Sequence, residues 1–114
     1  MLGEYATNLV TEEIVVTDER LMHILQNHPQ DMELFLQYGK SSVENPDMVI
    51  QDLSNKGTLF MIKKLPDTNL NVIVRLVLEG EDEKRKNSVM TFYRIREKNL
   101  TKLLNKNKLL YSKK

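Results

Sequence analysis

The chain has 114 residues, of which 40% are hydrophobic and 29% are charged. This length and composition are typical of one globular domain that is large enough to build its own core. No apolar run approaches the roughly 20 residues that a membrane-spanning helix requires, and no signal-peptide pattern opens the chain. Because cysteine is absent, disulfides and cysteine metal sites are excluded, which is compatible with a reducing cytoplasm. We therefore expect a cytoplasmic protein, and the lack of a long apolar run predicts no membrane segment.

The formal net charge of +1 conceals a strong separation of charge along the chain. Residues 1–50 hold nine acidic side chains against two basic ones, whereas residues 95–114 hold seven basic side chains against one acidic one. A basic C-terminal region is typical of proteins that bind phosphate-rich partners such as RNA. A solubilising role explains the same lysines equally well.

The first dozen residues show no clear hydrophobic period. We therefore predict a flexible N-terminal segment over residues 1–12 and a single domain over residues 13–114. Residues 13–17 are rich in β-branched side chains, which predicts a short strand at the start of that domain.

The next residues have the spacing of an amphipathic helix. Leu21, Ile24, Leu25 and His28 recur at i, i+3, i+4 and i+7, so they share one helix face. Pro29 disfavours helical geometry at the residue before it, and the helix is predicted to end there.

A second helix is predicted to begin near Gln30 or Asp31 and to end or bend at Gly39, with residues 40–44 adding a further turn. The hydrophobic period then changes to two, which predicts four strands joined by short polar turns. Short connections between consecutive strands favour an antiparallel meander. The predicted strands span residues 48–53, 58–65, 71–79 and 88–96.

A short amphipathic helix over residues 97–105 and a final apolar segment over residues 108–111 complete the predicted elements. Helices first and strands later are typical of an α+β fold. We predict two N-terminal helices packed on a four-stranded antiparallel β-meander, followed by a short C-terminal helix, with the helices on one face of the sheet.

His23 and His28 are the only histidines of the chain, and histidine is the natural proton carrier near neutral pH. A separation of five residues puts the two rings about 140° apart on a helix, so both cannot serve one site without a break between them. A histidine on an apolar helix face is more often a hydrogen-bonded core residue, and exposure is the default for His23 on the polar side. We take His28 as the preferred catalytic candidate and His23 as the reserve.

Alternation along the predicted strands singles out further polar candidates. Arg75 lies among apolar residues, where its charge needs a carboxylate partner or a water-exposed cleft. Alternation predicts that the last strand turns four side chains to one face, namely Val89, Thr91, Tyr93 and Ile95. Thr91 and Tyr93 therefore project together, about 7 Å apart, although both are also good strand formers. The candidate substrate-binding residues are Lys63, Lys64 and Arg94. A lysine at a strand end more often discourages edge-to-edge aggregation than it binds phosphate.

Other common sites are not indicated by the sequence. The histidines do not form a His-Glu-x-x-His motif, and no acidic cluster has the spacing of metal ligands, so we expect neither a metal nor another cofactor. There is no glycine-rich phosphate loop and no Gly-x-Ser-x-Gly turn around a nucleophile.

Several segments taken together resemble a known family. They are TDERLMHILQNHP at residues 17–29, ENPD at 44–47, VIVRL at 72–76, SVMTFY at 88–93, and a basic end that contains Leu110 and Tyr111. The pattern, which runs from about residue 13 to residue 111, resembles the phage- and mobile-element-encoded nuclease-like domains of the barnase–EndoU–colicin–RelE superfamily. The resemblance implies N-terminal helices against a four-stranded antiparallel sheet, and metal-independent RNA cleavage on the sheet face.

The resemblance also implies roles for individual residues. His23 or His28 matches the helical histidine, Arg75 matches the strand arginine, and Thr91 with Tyr93 matches the polar residues of the last strand. The expected function is that of a metal-independent endoribonuclease acting by general acid–base catalysis, as a toxin or a phage effector, with a cognate antitoxin or immunity protein as a candidate partner. The alternative is a catalytically inactive nuclease-fold module that binds nucleic acid or a protein partner.

Overall fold

The computed structural model describes residues 14–15, 18–27, 32–76 and 87–113, so the predicted N-terminal segment over residues 1–12 lies outside it. The helices are α1 (Asp18–Asn27), α2 (Met32–Glu44) and α3 (Glu97–Lys106). The strands are β1 (Ile14–Val15), β2 (Met48–Gln51), β3 (Thr58–Lys64), β4 (Asn69–Arg75), β5 (Asn87–Ile95) and β6 (Lys108–Ser112).

The described strands form one sheet in the order β1-β5-β4-β3-β2-β6. Strands β2 to β5 are an antiparallel meander, which confirms the predicted α+β class and the predicted strand order. The predicted strand β1 pairs parallel to β5 at one edge. The final apolar segment forms an additional strand, β6, because it pairs antiparallel with β2 at the other edge.

Two hydrophobic clusters lie on opposite faces of this sheet. We call the surface of the sheet on which α1 and α2 pack the α1/α2 face. The cluster between these helices and the sheet consists of Ile24, Phe35, Val49, Leu59, Met61, Leu70, Val72, Val74, Leu76, Val89 and Phe92. We call the opposite surface of the sheet, on which α3 packs, the α3 face. Its cluster consists of Ile50, Phe60, Ile62, Ile95 and Leu100. The prediction that the helices share one face is therefore wrong for α3. None of the described helices is both long enough and apolar enough to cross a membrane.

Helix α2 continues through Gly39 to Glu44, so the predicted end or bend at this glycine does not interrupt the helix. The glycine has a packing role, because a Cβ at position 39 would lie 2.8 Å from the Phe35 ring. That ring stacks on Phe92 of β5, with the ring centroids 4.4 Å apart. The absence of a side chain at Gly39 thus lets α2 bring its aromatic ring onto the sheet.

Strand β5 contains a β-bulge. Ile73 of β4 is paired with Thr91, but the next residue of β4, Val74, is paired with Val89. Met90 is therefore an extra residue that changes which side chains face each side of the sheet. Val89 joins the cluster on the α1/α2 face, so the prediction that it shares a face with Thr91 is wrong.

Candidate functional site

The α3 face of the sheet divides into two halves of different character. On β2 and β3 it is apolar, and Leu100, Leu103 and Leu104 of α3 pack there. On β4 and β5 it carries mostly polar side chains, because alternation turns the aliphatic residues of these strands to the other face. We call the second region the polar half; it consists of Asn71, Ile73, Arg75, Ser88, Thr91 and Tyr93.

Arg75 is half-buried at one end of the polar half. Its Nη1 donates a hydrogen bond to the carbonyl oxygen of Leu76. The turn before β3 closes over it, since the Leu76 amide donates to the Gly57 carbonyl at 2.7 Å. Gly57 has φ +85°, and a Cβ there would overlap the Arg75 guanidinium. The turn and its glycine therefore fix the orientation of this charge.

Thr91 and Tyr93 lie on β5, on the strand next to Arg75, and both side chains are half-buried. Thr91 is paired with Ile73 and Tyr93 with Asn71. Alternate residues of a strand lie about 7 Å apart on one face. The structure thus places one guanidinium and two hydroxyl groups on one face of two adjacent strands. Such groups can bind phosphate oxygens.

Asn71 is the residue of this region that the sequence did not reveal. It is completely buried, and neither its Nδ2 nor its Oδ1 has a hydrogen-bond partner among the described residues. Two residues earlier, Asn69 donates from Nδ2 to Oε1 of Glu97 at 2.9 Å. Leaving a buried amide unpaired costs about 1–3 kcal/mol of stability. A signal was present, since asparagine is depleted in strands and Asn71 directly precedes the apolar residues 72–74.

Of the two histidines, the structure describes only His23. His23 is exposed on α1, and α1 packs through the fully buried Ile24 onto the α1/α2 face. His23 is therefore not brought to the polar half. A cavity of about 730 Å³ beside α1 is lined by Glu19, Arg20, Met22, His23 and Gln26. His28, the preferred candidate, lies outside the described residues.

The three candidate substrate-binding residues lie away from Arg75. Lys63 donates from Nζ to the carbonyl oxygen of Asn45 at 2.9 Å, just beyond the end of α2, where the helix dipole favours a cation. Lys64 is exposed, six residues along β3 from the position paired with Arg75, or roughly 20 Å by strand geometry. Arg94 is exposed and is paired with a residue of the α1/α2 face.

Within the described ranges, no group of three or more His, Asp or Glu side chains could hold a metal ion. The chemistry that the polar half can perform with its own side chains is the neutralisation of anionic charge by a guanidinium and hydrogen bonding by hydroxyl groups.

Comparison with known proteins gives one informative result. Residues 3–112 match the family described as phage-Barnase-EndoU-ColicinE5/D-RelE like nuclease2. No curated protein and no solved structure matches the chain significantly. The family match includes every helix and strand described above. The chain therefore belongs to the phage-Barnase-EndoU-ColicinE5/D-RelE like nuclease2 family.

Proposed function

We propose that this chain is a metal-independent endoribonuclease that acts by general acid–base catalysis, with the polar half as the phosphate-binding side of its active site. Membership of a nuclease family supports a nucleic acid as the substrate. The observation that carries the proposal is the common face of Arg75, Thr91 and Tyr93 on two adjacent strands. A cytoplasmic location and, for a toxin, an antitoxin or immunity partner are further parts of the proposal.

Arg75 would stabilise the charge that develops on the phosphate. In the proposed reaction the RNA 2′-oxygen attacks phosphorus and the bond to the 5′-oxygen breaks, leaving a 2′,3′-cyclic phosphate and a 5′-hydroxyl. A donor that is already oriented before the reaction needs no reorganisation in the transition state. The contacts of Arg75 with Gly57 and Leu76 support this role, because they hold the guanidinium in place.

Thr91 and Tyr93 would orient the phosphate from the neighbouring strand. Each hydroxyl can donate one hydrogen bond to a phosphate oxygen, and the phenol of Tyr93 can also exchange a proton. Two donors about 7 Å apart can contact different oxygens of the strand around the scissile bond.

His28 would take the proton from the 2′-hydroxyl or give one to the leaving 5′-oxygen. It is preferred to His23 because it falls on the apolar stripe of the predicted helix, whereas His23 is exposed. Lys64 is proposed to contact the RNA away from the scissile phosphate, because it is exposed. Arg94 is also exposed, but its pairing with Leu70 puts it on the α1/α2 face, so its support as an RNA contact is weak. Lys63 has the weakest support, since its ammonium group already binds a backbone carbonyl.

The test is cleavage of 5′-labelled RNA by the purified protein in the presence of EDTA, with DNA of the same sequence as the uncleavable control. We expect Arg75→Ala and His28→Ala each to lower the cleavage rate by about 100-fold or more. The products should carry a 2′,3′-cyclic phosphate. Equal cleavage by the wild type and the Arg75→Ala, His28→Ala double variant, or no cleavage by either, would contradict the proposal.

His23→Ala distinguishes the two histidines in the same assay. A large loss of cleavage in this variant, with full activity in His28→Ala, would assign proton transfer to His23.

A catalytically inactive interaction module is the second candidate function. The contact of Arg75 with Leu76 and Gly57 favours it, because a guanidinium that holds a turn has a structural role without any substrate. This candidate predicts that the wild-type protein binds RNA or a protein partner and leaves RNA intact under every condition of the cleavage assay.

A further inference from the structure

The outer surface of α3 carries a row of evenly spaced positive charges. Its inner surface packs on the sheet through leucines, while three exposed lysines follow one another at intervals of four residues along the outside. We call them the lysine row; they are Lys98, Lys102 and Lys106. At 1.5 Å per residue the row is about 12 Å long.

The lysine row has no ion-pair partner within the part of the chain that the structure describes. Lys40 on α2 shows the contrast, because it pairs with Glu44 at 3.9 Å. The acidic residue of α3, Glu97, accepts a hydrogen bond from Asn69 instead. Like charges four residues apart destabilise a helix, and Lys98 lies near the N-terminus, where the helix dipole disfavours a cation. Helix stability alone therefore does not explain this arrangement.

The position of the row connects it with the candidate site. Helix α3 covers the same face of the sheet as the polar half, and Ile73 and Tyr93 pack against the cluster beneath it. The helices on the other face carry acidic residues in their first turns. The two sides of the sheet thus differ in charge, and a polyanion is attracted to the α3 side.

We propose that the lysine row is a docking surface for the phosphate backbone of single-stranded RNA, which it presents to the polar half. Lysines are mobile point charges that bind successive phosphates without reading the bases. The choice of RNA as the partner rests on the proposed function. The attraction of a polyanion to this surface follows from the charges of the lysine row alone.

The test measures binding without cleavage. A fluorescent 2′-O-methyl oligoribonucleotide lacks the 2′-hydroxyl nucleophile, and its affinity is followed by anisotropy as the salt concentration rises. Each phosphate contact with a single strand contributes about 0.7 to the slope of log Kd against log salt. We expect the Lys98→Gln, Lys102→Gln, Lys106→Gln triple variant to lower this slope by about 2 and to weaken binding roughly 100-fold at 0.1 M salt.

A matched pair of single variants controls for the loss of one positive charge. Lys102→Gln and Lys40→Gln each remove an exposed helical lysine, but on opposite sides of the sheet. We expect Lys102→Gln to lower the slope by about 0.7 and Lys40→Gln to leave it unchanged. Circular dichroism spectra equal to that of the wild type establish that the variants are folded.

An unchanged slope in the triple variant would overturn the docking surface, as would a wild-type protein that binds no oligoribonucleotide. Lysine-dependent binding to anionic phospholipid vesicles, without binding to RNA, would overturn it as well. The proposed function fails separately: a wild type that binds through the lysine row but never cleaves unmodified RNA contradicts the nuclease proposal alone.

Discussion

The two faces of β4 carry side chains of opposite character. The side chains turned to α1 and α2, namely Leu70, Val72 and Val74, are completely buried. Those turned to the α3 side include two asparagines and an arginine, namely Asn69, Asn71 and Arg75. A core does not need these polar groups, and burying one without a hydrogen bond, as at Asn71, lowers stability. On β4, one face thus packs into the larger hydrophobic cluster, and the other holds the candidate chemistry.

Substitutions on the two faces should therefore separate stability from activity. A change on the α1/α2 face should lower the free energy of unfolding, and a change on the polar half should affect cleavage with little loss of stability.

Phe92→Ala removes the ring that stacks on Phe35 in the α1/α2 cluster. We expect a loss of about 3–5 kcal/mol in the free energy of unfolding, because truncating a buried aromatic ring leaves a cavity. Its neighbour on the other face, Thr91→Val, keeps the side-chain shape and should cost less than about 1 kcal/mol. Urea unfolding measures both values. Comparable losses in the free energy of unfolding in the two variants would contradict the expected difference between the two faces.

Gly57→Ala should lower the free energy of unfolding by about 2–3 kcal/mol. The positive φ of this residue alone costs about 1–2 kcal/mol for a residue with a Cβ, and the new methyl group would overlap the Arg75 guanidinium. In an Arg75→Ala background only the backbone cost should remain. A double-mutant cycle by urea unfolding checks this coupling, and additive effects would contradict the close contact.

Asn71→Leu should raise the free energy of unfolding by about 1–2 kcal/mol, because it replaces an unpaired buried amide with an apolar group of similar shape. The matched variant is Asn69→Leu, which removes the donor to Glu97. We expect that variant to be about 1 kcal/mol less stable than the wild type. Thermal and urea unfolding distinguish the two signs. A destabilised Asn71→Leu would mean that the amide has a stabilising role.

Lys102→Gln has the smallest expected effect. It removes two repulsive pairs with Lys98 and Lys106, each worth about 0.2–0.5 kcal/mol, and should raise stability by a few tenths of a kcal/mol or slightly more. Lys40→Gln breaks the pair with Glu44 and should lower stability by a few tenths of a kcal/mol. High salt should diminish both differences. A decrease in stability in Lys102→Gln would contradict the repulsion argument.

The meander was predictable from sequence because its determinants are local. Alternating side chains define each strand, and short polar turns such as the one at Gly57 join consecutive strands. The pairing of β6 with β2 and the position of α3 on the opposite face were not predictable in this way. Both depend on contacts between residues far apart in the chain, and the leucines of α3 do not specify which face they cover.

The shared face of Thr91 and Tyr93 also followed from alternation, because the β-bulge at Met90 precedes both residues. The same bulge made the expectation for Val89 wrong, since a bulge depends on the register with the partner strand. Asn71 was missed because asparagine at the predicted start of a strand is typical of a turn. Its burial became visible only with the strands and helix around it.

The proposed function and the proposed docking surface both require that substrate binds on the α3 side of the sheet. A titration of ¹⁵N-labelled protein with the uncleavable 2′-O-methyl oligoribonucleotide, followed through the assigned backbone amides, tests this requirement. We expect chemical-shift changes at Arg75, Thr91 and Tyr93 and along residues 97–106, with the amides of α2 unchanged. Shifts confined to α2 and to α1 around His23 would contradict it.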